Sequence, residues 1–277
     1  MDLAVLALIT LVASTVNGAL GYGFSSITVP VALIFFTNRI LNPALVLVEL
    51  VINGYVLFIN RKSIPTIWWR VAPILIGLAV GVAIGSYILS LVHPAWVKFV
   101  TYIVLLPLIL LQAAGIRKPI QAEKTLAIPF GVSIGTLYSV TTISGPPLAV
   151  LFNNQGYAKQ DFRAALGVIR VAEGIFTGIA YYFIGLYSYE SMAIIPYIIP
   201  SVLLGIPLGS YLIRLMDHET FRRICMAFDA VIVTFGLSRV LTELNLATPL
   251  ITYSIFTIVM ILNAYLLFRF FRDKTVP

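Results

Sequence analysis

The chain has 277 residues, of which 60% are hydrophobic and 10% are charged, whereas soluble domains carry about 25% charged residues. A chain of this size has too small an interior to hide so much apolar surface from water. The composition therefore excludes an ordinary soluble protein and indicates one embedded in a lipid bilayer. The net charge of +7 comes without basic clusters interleaved with aromatic residues, which excludes nucleic acid as a partner.

Apolar segments, separated by polar or Gly/Pro breaks, follow one another along the whole chain. They lie at 3–22, 25–36, 43–60, 71–91, 96–112, 125–143, 146–153, 165–186, 192–213, 220–240 and 250–268. A full membrane span needs about 20 apolar residues, and the segments 25–36 and 146–153 hold about half that number. We therefore expect half-helices or hairpin arms at these two places. No cationic stretch precedes the first segment, so we interpret it as a retained membrane element rather than a signal peptide.

The residue types that enzymes and metal sites need are sparse. The single cysteine excludes an intrachain disulfide, and His93 and His218 fall in predicted loops without metal-ligand spacing. Neither a catalytic set nor an ATP-binding loop can be found. We therefore predict no metal, no cofactor and no enzymatic activity.

The two halves of the chain match at a nearly constant offset. At an offset of 117, Gly18, Pro30 and Phe35 match Gly135, Pro147 and Phe152; at an offset of 124, Arg39, Glu49 and Gly85-Ser86-Tyr87 match Arg163, Glu173 and Gly209-Ser210-Tyr211. Such matches indicate an internal duplication, and the five elements in each copy, an odd number, predict that the second copy is inverted. The predicted units are a first repeat at 1–112, a cytoplasmic linker at 113–124, a second repeat at 125–241, and an extra C-terminal helix with its tail at 242–277.

The positions of lysine and arginine predict the orientation. If Arg61 and Lys62 are placed inside, most other cations also fall in cytoplasmic loops, and Arg39, Lys98 and Arg239 are left near the outer face. We therefore predict a multi-pass protein of the inner membrane with its N-terminus outside and its C-terminus in the cytoplasm. The sequence leaves a homodimer open.

Two hydroxyl-rich stretches, each broken by Gly and Pro, lie at matching places in the halves. Gly18–Pro30 reads GALGYGFSSITVP, and Gly135–Pro147 reads GTLYSVTTISGPP. We expect Asn17, Gly18, Gly21 and Gly23 to interrupt the first helix, because glycine loosens the backbone and asparagine tolerates non-helical angles. The free N–H groups of the helix start that follows favour an anion. We expect the two starts to meet near the membrane midplane and bind a small oxyanion. The predicted site residues are Asn17, Gly21, Gly23, Ser25, Ser26, Thr28, Ser139, Thr141, Thr142, Ser144, Gly145 and Arg170. The alternative is that these small residues merely pack helices together.

Glu49 and Glu173 lie well inside predicted spans, where ionisable residues are costly and usually functional. Arg170 precedes Glu173 by three residues, so the two share one helical face and are expected to pair. We predict that the glutamates are coupling candidates that carry a proton. A buried ion pair that fixes helix packing explains them equally well. Arg39 and Arg163 either steer anions or anchor the membrane edge.

These motifs resemble a known family. The residues Gly18-x-x-Gly21-x-Gly23 with Pro30, and Gly135 with Ser144-Gly145-Pro146-Pro147-Leu148, resemble the sulfite exporter TauE/SafE family, also called the toluenesulfonate uptake permease family. The resemblance covers nearly the whole chain. It implies a transporter of a sulfur-containing anion, such as sulfite or a small organosulfonate, driven by an ion gradient.

The sequence thus predicts an all-α polytopic membrane protein in which two inverted-topology repeats bring broken helices together near the midplane, with one extra C-terminal helix. We expect a secondary transporter that works by alternating access, with the anion and the lipid bilayer as its partners. An anion channel and a non-transporting membrane scaffold are the alternatives.

Overall fold

The computed structural model describes residues 2–20, 23–114, 123–154, 159–212 and 218–275, and within these ranges it contains helices and no strands. The helices are α1 (Asp2–Leu20), α2 (Phe24–Ala32), α3 (Asn38–Ile59), α4 (Ile64–Leu91), α5 (Pro94–Ala113), α6 (Glu123–Thr141), α7 (Gly145–Asn154), α8 (Lys159–Ile184), α9 (Tyr189–Ala193), α10 (Ile195–Leu212), α11 (His218–Glu243) and α12 (Pro249–Thr275). A 3₁₀ turn, Arg61–Ser63, leads into α4. The predicted all-α class is confirmed.

Six stretches of the described residues are long and apolar enough to cross a membrane. They are Asn38–Ile59, Arg61–Leu91, Pro94–Leu111, Gln160–Ile184, Tyr189–Leu212 and Pro249–Arg272. Many of their large apolar side chains are exposed, such as Val51, Trp69 and Leu203, and lipid is the environment that favours such a surface. Only 17% of the apolar window of α12 is buried in the protein, so this helix lies at the periphery. The chain is a multi-pass membrane protein.

The helices of the second half repeat the order of the first. A long helix, a short helix and three long helices make up α1 to α5, and the same order recurs in α6, α7, α8, α10 and α11. Several of the main contacts join equivalent partners: α1 packs on α10 as α6 packs on α4, α3 packs on α8, and α5 packs on α11. The contact of α4 with α8 is an exception, because its counterpart between α10 and α3 is much smaller. In each half, the first of these five helices therefore packs on the fourth of the five in the other half.

Glycines allow two of these contacts to bring backbone against backbone. A Cβ atom on Gly81 of α4 would overlap the Val132 carbonyl of α6, and one on Gly209 of α10 would overlap the Thr15 carbonyl of α1. Small residues of this kind let membrane helices approach closely. The repeated glycines therefore serve helix packing in both halves.

The prediction that Asn17 and Gly18 interrupt the first helix is wrong, since both lie inside α1. A Cβ atom on Gly18 would overlap the carbonyl of Ile206 in α10. This glycine is thus needed for its missing side chain at a helix contact, and its weak helix propensity is overcome by packing.

Side chains of α3 and α5 hold the ends of neighbouring helices. Lys98 Nζ donates to the Leu33 carbonyl just beyond α2 at 2.7 Å, and the Tyr102 hydroxyl donates to the Pro30 carbonyl at 2.9 Å. Arg39 donates to three carbonyls at the end of α4, namely those of Leu89 (3.0 Å), Ser90 (2.7 Å) and Val92 (3.0 Å). Carbonyls at a helix end lack intrahelical partners and carry partial negative charge, so these cations stabilise both ends.

Candidate functional site

In each half, a turn separates the first long helix from the short helix that follows it. Between α1 and α2, Gly23 has a φ of 109°, a left-handed conformation that glycine adopts without strain. Between α6 and α7, Thr142 has a φ of 57°, and Ser144 immediately precedes α7. These positive values turn the chain out of its helical path. A new helix start follows each turn, as the sequence predicted.

The two short helices differ in the backbone donors of their first turns. In α2 the Ile27 N–H donates to the Gly23 carbonyl at 3.2 Å, so the N–H groups of residues 24–26 precede the helical ladder. In α7 the Leu148 N–H donates to the Ser144 carbonyl at 3.1 Å, but two prolines in the first turn have no N–H. The first turn of α2 therefore offers more donors to an anion.

The predicted site side chains are buried inside the protein rather than turned toward lipid. The buried members are Asn17, Ser25, Ser26, Thr28, Ser139, Thr141, Thr142, Ser144 and Arg170, together with both glutamates, Glu49 and Glu173. Gly23 and Gly145 are buried as well, while Gly21 lies outside the described residues. Burying so many polar groups in a bilayer protein is costly unless they have partners, and the contacts below show which of them do.

One buried carboxylate joins four helices. Glu49 of α3 accepts a hydrogen bond on Oε1 from the Ser25 hydroxyl of α2 at 2.6 Å, and the same oxygen accepts from Arg170 Nη2 of α8 at 2.9 Å. Its Oε2 accepts from the Tyr138 hydroxyl of α6 at 3.2 Å. Both oxygens of Glu49 are therefore occupied, and one of its three donors is a cation.

The second glutamate repeats only part of this arrangement. Ser144, directly before α7, donates to Glu173 Oε2 of α8 at 2.6 Å. In each half, therefore, a serine at the start of the short helix binds the glutamate of the next helix. The sequence offset of 117 pairs Ser25 with Thr142, so the two serines are equivalent in their contacts and not in the alignment.

Arg170 pairs with a different glutamate from the one its spacing predicts. Its ion pair is with Glu49 on α3, whereas Glu173 on its own helix accepts from Ser144. α3 and α8 pack against each other, so the long arginine side chain reaches across the interface. Among the described residues, Arg170 Nε and Nη1 have no hydrogen-bond partner, and neither has Glu173 Oε1.

Tyr138 is a member of this cluster that we did not predict. It is fully buried and bonds Glu49, although it lies inside the hydroxyl-rich stretch that drew attention to its neighbours. Tyrosines of membrane proteins are commonly interfacial, so the sequence gives little reason to expect a buried tyrosine here. Its signal is its place four residues before the Thr142 turn.

Three of the predicted hydroxyls are engaged with the backbone of α6. Ser139 donates to the Gly135 carbonyl at 2.8 Å, Thr141 donates to the Leu137 carbonyl at 2.7 Å, and Thr142 donates to the Thr141 carbonyl at 2.7 Å. These contacts fit the alternative that small polar residues serve local structure and packing. Thr28, in contrast, is buried and its Oγ1 has no partner within the described part of the chain.

Two cavities adjoin the predicted residues. One, of about 130 Å³, lies between α1, α3, α8 and α10 and is lined by Asn17, Asn60, Arg163 and Ser210 among others. The other, of about 620 Å³, is an apolar crevice beside α5 and α6 that Thr141 lines. Asn17 and Thr141 therefore border separate spaces. In the described ranges, no three His, Cys, Asp or Glu side chains are grouped as metal ligands.

The cluster joins one buried guanidinium to buried carboxylate and hydroxyl groups from both halves of the chain. The model of the family described as Sulfite exporter TauE/SafE matches residues 6–235. The chain belongs to this family. TauE/SafE proteins are transporters of sulfur-containing anions, so membership gives the chain a transport role and a small anion as its substrate class. The comparison with curated proteins gives no match, and neither does the comparison with solved structures. The match of this TauE/SafE chain includes both turns and the whole cluster around Glu49.

Proposed function

We propose that this TauE/SafE protein is a secondary transporter that moves sulfite or a small organosulfonate across the cytoplasmic membrane. It works by alternating access and is coupled to a gradient of protons or another ion. One observation carries the proposal: two short helices begin beside a buried cluster of Arg170, Glu49 and Glu173. Such broken helices in corresponding halves are where transporters bind their substrates.

Arg170 and the start of α2 are the proposed anion contacts. Arg170 uses Nη2 to hold Glu49, while its Nε and Nη1 have no partner among the described residues. Nη2 carries a second N–H group, which can form a fork of two parallel donors to an oxyanion together with the neighbouring N–H of Nε or Nη1. The N–H groups of residues 24–26 and the Thr28 hydroxyl supply further donors to the remaining oxygens. A sulfite or sulfonate group, with its three oxygens, suits such a set.

The equivalent packing of the two halves supports alternating access. We propose that the halves, 1–112 and 125–241, are inverted repeats joined by a cytoplasmic linker and followed by an accessory C-terminal helix. The pairs α1–α10 and α4–α6 each combine helices of both halves, which makes them rigid units that can rock about the central cluster. The proposed orientation places the N-terminus outside and the C-terminus in the cytoplasm.

Uptake of labelled sulfite and of methanesulfonate into proteoliposomes tests this proposal. We expect saturable flux, and we expect Arg170→Lys to raise the substrate concentration for half-maximal flux by about tenfold or more, because lysine lacks the bidentate fork. Glu190→Gln, an exposed site on α9, is the matched control and should behave as wild type. Absence of flux with every sulfur oxyanion would contradict the proposal. Flux that does not saturate and ignores all ion gradients would indicate a channel instead.

A further inference from the structure

The two glutamates occupy matching places in the halves but have unlike surroundings. Glu49 accepts three hydrogen bonds, which occupy both of its oxygens and include the ion pair with Arg170. Glu173 accepts one, from Ser144, and its Oε1 has no partner among the described residues. Both are buried, with 1% and 0% of their surfaces exposed. A difference this large within a repeated pair indicates different tasks.

The balance of charge shows what one of those tasks must be. Three charged side chains meet in this buried cluster: Glu49, Arg170 and Glu173. With both carboxyl groups ionised, the cluster holds one positive and two negative charges, so an arriving anion meets a net negative site. Like charges repel strongly where water is excluded. A proton on one glutamate makes the cluster neutral and removes that barrier.

The contacts decide which glutamate can take the proton. Protonation of Glu49 would leave the buried Arg170 guanidinium without its counter-ion, which is strongly unfavourable. Protonation of Glu173 breaks no ion pair, and the Ser144 hydroxyl can either donate to the carboxyl group or accept from it. We propose that Glu173 carries the coupling proton and that Glu49 is the fixed counter-ion of Arg170. This inference rests on the transport function proposed above.

The groups that face Glu173 are consistent with this assignment. Within the described part of the chain, the charged and titratable groups that act on it are Arg170 on its own helix, Glu49 on α3 and Tyr138 on α6. α7, which also packs on α8, has no ionisable residue. In α4, Tyr87 is exposed, and Arg70 lies in the second turn near that helix's start. Once Glu173 is neutral, Arg170 is thus the cation that interacts both with Glu49 and with the bound anion.

The coupled step forms and breaks one O–H bond. On the more acidic side, a proton binds Oε1 of the Glu173 carboxylate, and the anion then binds at Arg170. On the opposite side the anion leaves and the same O–H bond breaks, which returns the carboxylate. No electrons are transferred. One proton and one monovalent anion move together, so the transport cycle carries no net charge across the membrane.

Methanesulfonate tests the inference because it keeps a single negative charge at every working pH. Proteoliposomes that contain wild type, Glu173→Gln, Glu49→Gln or Glu190→Gln are given either a pH gradient or a potassium diffusion potential. A pH dye inside the vesicles follows protons. We expect wild type to be driven by the pH gradient, to ignore the potential, and to move one proton per anion. Glu173→Gln should lose the proton flux and the pH-driven accumulation, and the potential should now drive its anion flux.

Each outcome separates the two proposals. If wild type moves neither sulfite nor methanesulfonate, the transport function itself fails. If wild type moves methanesulfonate without protons, or if Glu173→Gln keeps pH-driven accumulation, the assignment to Glu173 alone fails. The assignment would also fail if Glu49→Gln lost proton flux and its anion flux became driven by the potential. We expect Glu49→Gln to lose thermal stability instead. Glu173→Asp retains a titratable carboxyl group and should restore proton flux. If Glu173→Gln does not fold, Glu173→Asp supplies the test, because a proton flux whose pH dependence is unchanged from wild type would contradict the assignment to Glu173.

Discussion

Arg170 is a cation that the protein keeps almost wholly out of solvent, with 3% of its side chain exposed. Glu49 compensates the positive charge of Arg170, and Glu49 accepts its remaining hydrogen bonds from Ser25 and Tyr138. Removing one partner of a buried pair leaves an uncompensated charge, which costs far more than the pair itself contributes. A substitution at any one of these residues is therefore expected to weaken the contacts of the others.

Glu49→Gln should lower stability strongly, by about 3–5 kcal/mol, because it leaves the guanidinium of Arg170 unpaired. Tyr138→Phe removes a single hydrogen bond to a charged group and should cost about 1.5–3 kcal/mol. Thermal unfolding of the purified protein in detergent measures the order of the two effects. Glu190→Gln at the surface should change stability by less than about 0.5 kcal/mol. A Glu49→Gln variant as stable as wild type would show that the ion pair does not hold these helices.

Helix pairs are the next scale, and glycine sets how closely they approach. Gly81 and Gly209 bring α4 onto α6 and α1 onto α10 with backbone against backbone. Alanine at either place should destabilise the protein by about 1–3 kcal/mol through overpacking. Gly54→Ala in α3 is the matched control, because its Cβ atom would meet nothing within 4 Å. Thermal unfolding should separate the two classes, and equal stability of all three variants would argue against tight contacts.

Arg39 and Arg163 match in the sequence but serve their helices differently. Arg39 is bound to three carbonyls at the end of α4, whereas Arg163 of α8 has no hydrogen bond or ion pair within the described residues and lines the cavity that Asn17 borders. The sequence left steering and anchoring open for both. The contacts favour anchoring for Arg39 and an encounter with anions for Arg163.

Arg163→Gln should therefore slow anion entry from the face that Arg163 borders while leaving the melting temperature near that of wild type. The slowing should shrink as salt is added, because a partly exposed charge attracts ligands over a distance that salt screens. Arg39→Gln should instead lower the melting temperature. Flux measured from each face of oriented vesicles, together with thermal unfolding, checks both results. Equal effects of the two substitutions would contradict the assignment.

At the scale of the whole molecule, the helical class, the succession of apolar helices and the repeated glutamates can be predicted from the sequence. Apolar length and a constant offset report these features directly. The partner of Arg170 could not be obtained in this way, because it depends on how α3 and α8 pack and not on spacing within one helix. For the same reason the sequence wrongly predicts a helix break at Gly18, whose missing side chain admits the carbonyl of Ile206.

The inverted orientation of the halves stays a prediction, and labelling can test it. Lys62 lies in the 3₁₀ turn after α3, and Ser188 lies after α8 at the corresponding place in the second half. In a Cys225→Ser background, Lys62→Cys should react with an impermeant thiol reagent from the cytoplasmic face, and Ser188→Cys should react from the outside. Labelling of both from one face would show that the halves run parallel.

The exchange of partners between the halves also affects how the protein is made. α1 leaves the ribosome well before the helix it packs against, α10, because α2 to α9 lie between them in the chain. Contacts between such distant segments form late. In the folded protein the Ser14 hydroxyl of α1 donates to the Ser201 carbonyl of α10 at 2.9 Å. Until α10 is inserted, the polar face of α1 that carries Ser14 lies in the bilayer without this partner. Neither half can mature alone, so a chain truncated before α10 should be a substrate for membrane quality control.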